Sequence, residues 1–241
     1  MSVSSSREAK WPKRLPELTD EQRRISDDFM RAWHEHLPSK YSMVERFNHG
    51  FPVRLSTLPF RTTLEIGAGL GEHLKWENLS GEKLAGYVGV DLRENMVKEL
   101  IRQFPEAHAI VGDCQRELPF TGGSFDRLIA IHVLEHLPNL PAAIAEMRRL
   151  VRSDGYGIIV IPCEGGFAYS VARKISAERF YKQRFGGSYK WLYSREHINL
   201  PHEIIEELKR HFAIEYMEFF PFSAFPITSA NICIGMRIRP I

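Results

Sequence analysis

Residues 62–71, TTLEIGAGLG, constrain the fold more than any other stretch of this 241-residue chain. A short apolar run with Leu64 and Ile66 ends in glycines at alternate positions, Gly67, Gly69 and Gly71, and residues 73–76 can open a helix. Missing Cβ atoms let a backbone turn sharply and approach a ligand closely. Glu72 stands where the dinucleotide pattern Gly-x-Gly-x-x-Gly has its last glycine. Together with Glu65 it puts negative charge where a pyrophosphate needs helix N–H groups and positive potential. The turn therefore suits a cationic or zwitterionic ligand better than NAD, and a dehydrogenase ranks last among the readings.

The chain alternates from there. Strands are predicted over 62–66, 85–90, 108–111, 126–131 and 157–161, with helices over 94–104, 141–151 and 201–211. Two last strands, 214–222 and 231–239, sit close enough to form an antiparallel hairpin. Such alternation implies parallel pairing with right-handed crossovers. Polar residues or cysteines recur at the ends of apolar strands: Glu65, Asp91, Asp113 and Cys114, His132, then Cys163. In an open α/β sheet ligands bind outside those carboxyl ends, and an acid at the tip of the second strand, as Asp91 is, can accept both hydroxyl hydrogens of a ribose. The structural alternatives are a helix N-cap for Asp91, a turn residue after Gly112 for Asp113, and a small filler for Cys114.

The segments LEIGAGLG, YVGVDLRENMV, IVGDCQRELPF, FDRLIAIHVLEHL and RLVRSDGYGIIVIP, in this order, resemble the class I S-adenosylmethionine-dependent methyltransferases. The resemblance is close over roughly residues 60–162. It implies an α/β fold: a doubly wound, seven-stranded, mostly parallel sheet whose last pair is the hairpin above. It implies S-adenosylmethionine as cofactor and S-adenosylhomocysteine as product. By resemblance, Glu65 and the backbone of Gly67, Ala68, Gly69 and Gly71 hold the methionyl end, and the backbone at Ile131 and His132 receives its ammonium. Asp91 binds the ribose hydroxyls, Leu92 lies against the adenine, Asp113 accepts from the adenine amino group, and the Cys114 backbone N–H reaches a ring nitrogen.

Around this block stand two appendages to a single domain spanning 19–241. Residues 1–18, rich in Ser, Lys, Arg and Pro, read as a mobile tail. Thr19 or Asp20 can cap a helix to about His36 with apolar Ile25, Phe29, Met30, Trp33 and Leu37. That helix and residues 41–51 are a packed surface element or, as in similar proteins, part of a lid over the cofactor (19–60). An insertion, 164–199, follows strand 5. In it Arg173, Lys174, Arg179, Lys182, Arg184, Lys190 and Arg195 alternate with Phe180, Tyr181, Phe185, Tyr189, Trp191 and Tyr193. The pattern suits stacking with phosphate neutralisation, or an anionic lipid surface, or merely the core and wet face of a small cap. The insertion is expected to shape the substrate pocket, with Arg179, Lys182, Arg184, Tyr193, Arg195 and His197 as substrate-binding candidates.

Methyl transfer asks chiefly for in-line positioning, which can supply about 7–11 kcal/mol of the barrier. A base is needed when the acceptor is a hydroxyl or a carbon acid. His132, at the end of strand 4, is the best-placed candidate, and His197 the second; Glu135 and His136 are as readily structural. The expected reaction is transfer to a small-molecule, glycan-precursor or lipid-linked acceptor at oxygen, with an anionic or phosphorylated substrate and peripheral membrane contact as further expectations. The alternatives are an RNA or protein methyltransferase, or a non-catalytic S-adenosylmethionine-binding module. His132-Val133-Leu134-Glu135 replaces an Asn-Pro-Pro-Tyr-type tetrad, so a nucleic-acid base is a poor target. A net charge of +2 is neutral on that question. Three scattered cysteines, Cys114, Cys163 and Cys233, form no Cys-x-x-Cys pair, so neither zinc nor a disulfide scaffold is expected. With neither an apolar leader nor a run of transmembrane length, the sequence reads as cytoplasmic.

Overall fold

The computed structural model describes residues 10–40 and 42–241, the side chains of 33–42 excepted. Residues 1–9 of the expected tail, Tyr41, and the side chains of Trp33 and Leu37 lie outside the described residues. Seven strands form one sheet in the order β3-β2-β1-β4-β5-β7-β6. They are β1 (Thr63–Ile66), β2 (Tyr87–Asp91), β3 (His108–Val111), β4 (Phe125–Ile131), β5 (Val151–Pro162), β6 (Phe212–Phe220) and β7 (Cys233–Pro240). The first five run parallel, and β7 runs against both β5 and β6. This is the doubly wound sheet expected from the sequence, with each strand within a few residues of its predicted place; β5 begins earlier, at Val151.

Chain direction across the sheet reverses between β1 and β4, where crossovers leave on opposite sides. Such a switch point opens a crevice at the carboxyl edge. The central strands are apolar on both faces, as parallel strands covered by helices must be. Leu128, Ala130, Ile159 and Ile161 face a core completed by α6 (Leu140–Leu150) and α10 (Pro201–Leu208). Ile158 and Val160 face the other way, onto Phe47 and Phe51 of α2 (Ser42–Leu55). Proline opens both α6 and α10, where its missing N–H costs nothing. The smaller helices α3 (Leu74–Glu77), α4 (Glu82–Ala85) and α5 (Glu94–Gln103) carry the early crossovers.

One charge is buried within β4. Arg127 is fully enclosed, donating to Glu77 Oε1 at 2.8 Å, Ser56 Oγ at 2.7 Å and Thr63 Oγ1 at 3.1 Å, with Phe60 stacked 3.7 Å from its guanidinium carbon. Glu77 also meets His73 Nε2 at 2.8 Å, so one carboxylate ties α3 to the sheet.

The helix α1 (Asp20–Lys40) starts at the predicted cap: Thr19 Oγ1 accepts from the Gln22 N–H, and Gln22 Oε1 accepts from the Thr19 N–H. Residues 10–18, read from the sequence as tail, lie along the domain. Lys13 reaches Glu203 at 2.6 Å and the Ile198 carbonyl at 2.7 Å, and Trp11 packs on the main core. The insertion is helical: α7 (Phe167–Arg173), a π-helical turn (Lys174–Glu178) and α8 (Arg179–Phe185) run on from one another, followed by α9 (Lys190–Glu196). Phe29 of α1 sits among Phe180, Tyr181, Phe185 and Tyr189, with ring centroids 5.6–6.5 Å away. The insertion's aromatics thus form a small core shared with α1.

Candidate functional site

The strand ends line up along the carboxyl edge. In register, Ile66 lies beside Val90 and Ala130, and Asp91 beside Val111. Asp113, Asp91, Gly67 and His132 therefore stand at the tips of four adjacent strands, spanning about 14 Å at about 4.8 Å per strand. The glycine turn is fixed by Gly67 and Ala68 N–H groups donating to the Val90 carbonyl at 2.8 and 3.1 Å. Gly67 has φ +71°, and a Cβ there would come within 2.3 Å of a Val133 methyl. Gly69, at φ +54°, donates its N–H to Asp91 Oδ2 at 3.0 Å, and Arg93 N–H donates to Oδ1 at 2.9 Å. Each Asp91 oxygen is aimed by one backbone donor and keeps a lone pair for a ligand hydroxyl. Glu72 turns back onto the Leu70 N–H at 3.0 Å, setting a negative charge on the turn.

Beneath the turn, Glu65 is buried and accepts from Tyr87 Oη at 2.6 Å. Burial pushes its carboxyl up to about 8, with Glu77 and Glu72 adding, against the pull of the Tyr87 hydrogen bond and Arg127. Leu92 is exposed at the rim, an open apolar face. Asp113 Oδ1 accepts from both nitrogens of Gln115. Burial raises the Cys114 and Cys163 thiols to about 12, which makes both inert as nucleophiles.

On the β4 side, His132 has φ 53°, a left-handed conformation costing an L-residue roughly 1–2 kcal/mol. Its Nδ1 lies 3.2 Å from Glu135 Oε1, and its Nε2 has no hydrogen-bond partner. Glu135 is fully buried; burial pushes its carboxyl up, but His136, His132 and His197 outweigh that and hold it at about 2. His136 donates through Nδ1 to the Glu196 carbonyl and is lowered by burial. The insertion's exit is pinned here, because Asn199 Nδ2 donates to the Leu134 and Leu137 carbonyls at 2.7 and 2.8 Å.

That pin brings the insertion's polar residues to the site. His197 Nδ1 is 3.0 Å from Glu164 Oε2, and its ring lies 5.0 Å from His136 and stacks on Tyr193 at 5.8 Å. Tyr193 donates to Glu164, and Arg173 lies 3.8 Å over the Tyr193 ring. Arg173, Lys182, Tyr189, Lys190 and Tyr193 line a cleft of about 550 Å³. A larger hollow of about 620 Å³, lined by Asp126 and Arg152 among others, opens at the opposite edge of the sheet, away from these groups.

Of the substrate candidates, Tyr193 and His197 are brought together beside His136. The others are not: Arg184 pairs with Asp28 of α1 at 3.3 Å, Arg195 donates to the Pro16 carbonyl, Arg179 is exposed on α8, and Lys182 pairs with Glu178 at 2.6 Å on the cleft rim. Sequence reasoning missed Glu164 and Arg173. The signal for Glu164 was present, an acid two residues past the end of β5 and directly before Gly165-Gly166. Among the described residues no group of three or more His, Cys, Asp or Glu is placed to hold a metal ion.

Residues 64–159 match the family model described as a methyltransferase domain. Residues 64–159 thus carry a methyltransferase domain. Solved structures share the fold at low identity. A methyltransferase from Thermotoga maritima, described as a possible histamine N-methyltransferase, is 16% identical, covering 90% of this chain and 98% of its own, with TM-score 0.61. Geranyl diphosphate methyltransferase in complex with S-adenosylmethionine is 14% identical over 85% and 89%, also at 0.61. The methyltransferase CalH, in complex with S-adenosylhomocysteine, is 18% identical over 84% and 60%, at 0.56. No curated protein matches the chain by sequence. The methyltransferase domain takes S-adenosylmethionine as its cofactor, and the geometry fits that group: Asp91 offers an aimed carboxylate and the Gly67–Gly69 turn an open backbone. No described helix is long and apolar enough to cross a membrane.

Proposed function

We propose that this methyltransferase delivers its methyl group to a hydroxyl oxygen of a small molecule, glycan precursor or lipid-linked intermediate bearing an anionic group, with His132 as general base. His132 carries the reading. Its Nδ1 is held by an ionised, buried Glu135, which sets the tautomer with the proton on Nδ1 and leaves the unpartnered Nε2 as a lone pair. A strained left-handed histidine at a strand tip persists only where its surroundings over-determine it, and such strain gathers at working sites. His197 is the weaker candidate, since Glu164, Tyr193 and His136 enclose its ring.

Bound S-adenosylmethionine supplies a methyl carbon activated by a positive sulfur. Asp91 would accept the ribose hydroxyls, Leu92, Asp113 and the Cys114 N–H would hold the adenine, and Gly67, Ala68, Gly69 and Gly71 would carry the methionyl end. Glu65 beneath the turn and the Ile131–His132 backbone would receive the ammonium. His132 Nε2 would take the proton from the acceptor hydroxyl, leaving its oxygen free to receive the methyl group. Glu135 stabilises the resulting imidazolium. Lys190 on the cleft, with Arg173 over the Tyr193 ring, favours an acceptor carrying phosphate or carboxylate.

Labelled methyl donor incubated with hydroxylated sugar phosphates, phenolic acids and lipid-linked glycans should yield an alkali-stable methyl ether. His132→Gln should lower kcat by about 10²–10⁴-fold while S-adenosylhomocysteine affinity, read by calorimetry, stays within a few-fold. Full kcat in that variant removes the base role, and label recovered in RNA or protein instead overturns the acceptor class.

A further inference from the structure

Six large apolar side chains stand exposed on one face of the molecule. Phe167 (75% exposed), Val171 and Ile175 (68%) recur every four residues along α7 and the π-helical turn, making one stripe. Phe222, Phe225 (66%) and Ile227 project from the connection between β6 and β7. The two groups adjoin: the Thr228–Ala230 turn packs on α7, and a Cβ on Gly166 would stand 2.3 Å from the Thr228 carbonyl oxygen. The patch also borders the site. Phe167 lies three residues beyond Glu164, and the connection leaves β6 at Phe220, which pairs with Cys233 beside Pro162 at the carboxyl end of β5.

The connection is held in shape while its rings face outward. Residues 221–230, PFSAFPITSA, contain no charge. Asn231, fully buried, accepts from the Phe222 N–H at 2.7 Å and donates to the Phe225 and Ile227 carbonyls at 2.7 and 3.0 Å. A pinned loop displaying apolar rings is a built surface, and contiguous exposed apolar patches mark contact sites. Charge says which kind. Residues 165–194 hold six basic residues and one acid, Glu178, whereas the whole chain is only +2. Glu178 is already engaged by Lys182 and Arg173, while Lys174 and Arg179, both exposed beside the stripe, make no ion pair among the described residues. A second copy docking on the same face would bring like charge onto like charge. An anionic surface is complementary.

We infer that this face docks the protein on an anionic lipid bilayer, with the α7 stripe and the Phe222–Phe225 loop entering the headgroup layer and Lys174 and Arg179 on the lipid phosphates. The combination of an apolar ridge with flanking cations is what interfacial binding requires. It brings the carboxyl edge of the sheet, and with it the cleft, against the lipid surface.

The full chain should cosediment with vesicles of phosphatidylcholine mixed with phosphatidylglycerol, far less with phosphatidylcholine alone, and less as salt rises. Phe222→Ser/Phe225→Ser should reduce binding by roughly tenfold or more for each ring withdrawn from the interface, with the melting temperature and S-adenosylhomocysteine affinity unchanged. Lys174→Gln/Arg179→Gln, at two exposed positions, tests the charge separately and stands even where the loop variant fails to fold. No vesicle binding, or binding that both variants retain, overturns the inference. So does a dimer in sedimentation that the loop variant dissolves without any vesicle binding, since the patch then belongs to a second copy. The readout is independent of the methyl acceptor, so its failure leaves the catalytic reading untouched.

Discussion

At the scale of single residues, Glu65 is an acid buried beneath the glycine turn. Its carboxyl is raised to about 8, chiefly by burial. A carboxyl raised on folding stabilises the native state fully below its unfolded value, and that contribution is lost as pH climbs through the folded value. Wild-type stability should therefore fall relative to Glu65→Gln between about pH 4.5 and about pH 8, by on the order of a few kcal/mol. Urea denaturation of both proteins at intervals across this range measures the difference directly; parallel profiles would mean that Glu65 titrates as an ordinary surface acid. Glu135, held at about 2, behaves in the opposite sense: its contribution is present at neutral pH and lost only in strong acid. Glu65 and Glu135 thus differ in what answers their burial. Glu65 has a phenol and negative neighbours, Glu135 a ring of imidazoles.

At the scale of elements, α1 and the insertion stand or fall together through Phe29. Replacing Phe29 by Ala should cost about 3–5 kcal/mol by emptying the aromatic cluster. The melting temperature should drop, and trypsin should cut faster at Arg184 before Gly186-Gly187. If cutting and melting are unchanged, the two elements do not share a core. How far these elements could be read in advance follows from their chemistry. The parallel strands were legible because each is an apolar run bounded by turn residues, and α1 because a cap at Thr19 or Asp20 precedes apolar residues at helical spacing. The run of α7 and α8 was not: it buries Ala177 and Tyr181 on one side and exposes Phe167, Val171 and Ile175 on another, so no single apolar period emerges. Residues 10–18 read as tail because their prolines deny regular structure, while their anchor, Lys13 to Glu203, joins positions 190 residues apart. Separation in sequence also divides the site. Asp91, Asp113 and His132 show themselves as strand-end residues, whereas Glu164 acquires its role from Tyr193, 29 residues further on.

At the scale of the whole molecule, a ligand spread along the carboxyl edge engages β1, β2, β3 and β4 at once. Binding there is linked to global unfolding, because those strands cannot separate without dismantling the contact. S-adenosylhomocysteine at about a hundred times its dissociation constant adds roughly 2.7 kcal/mol, which for a chain of this size raises the melting temperature by about 5–10 °C. NAD at the same concentration should give no shift, since the Glu72 carboxylate on the Leu70 N–H stands where its pyrophosphate would need positive potential, whereas Glu65, raised to about 8, adds little charge at neutral pH. The pair of ligands shares adenosine, so the comparison isolates the methionyl half. A shift with both would mean that Asp91 and Asp113 do the binding and the glycine turn does not discriminate. A shift with neither at saturation would detach this methyltransferase fold from its cofactor. The expected pattern, a shift with S-adenosylhomocysteine alone, requires the aimed Asp91 carboxylate and the negative turn to act together across two strands.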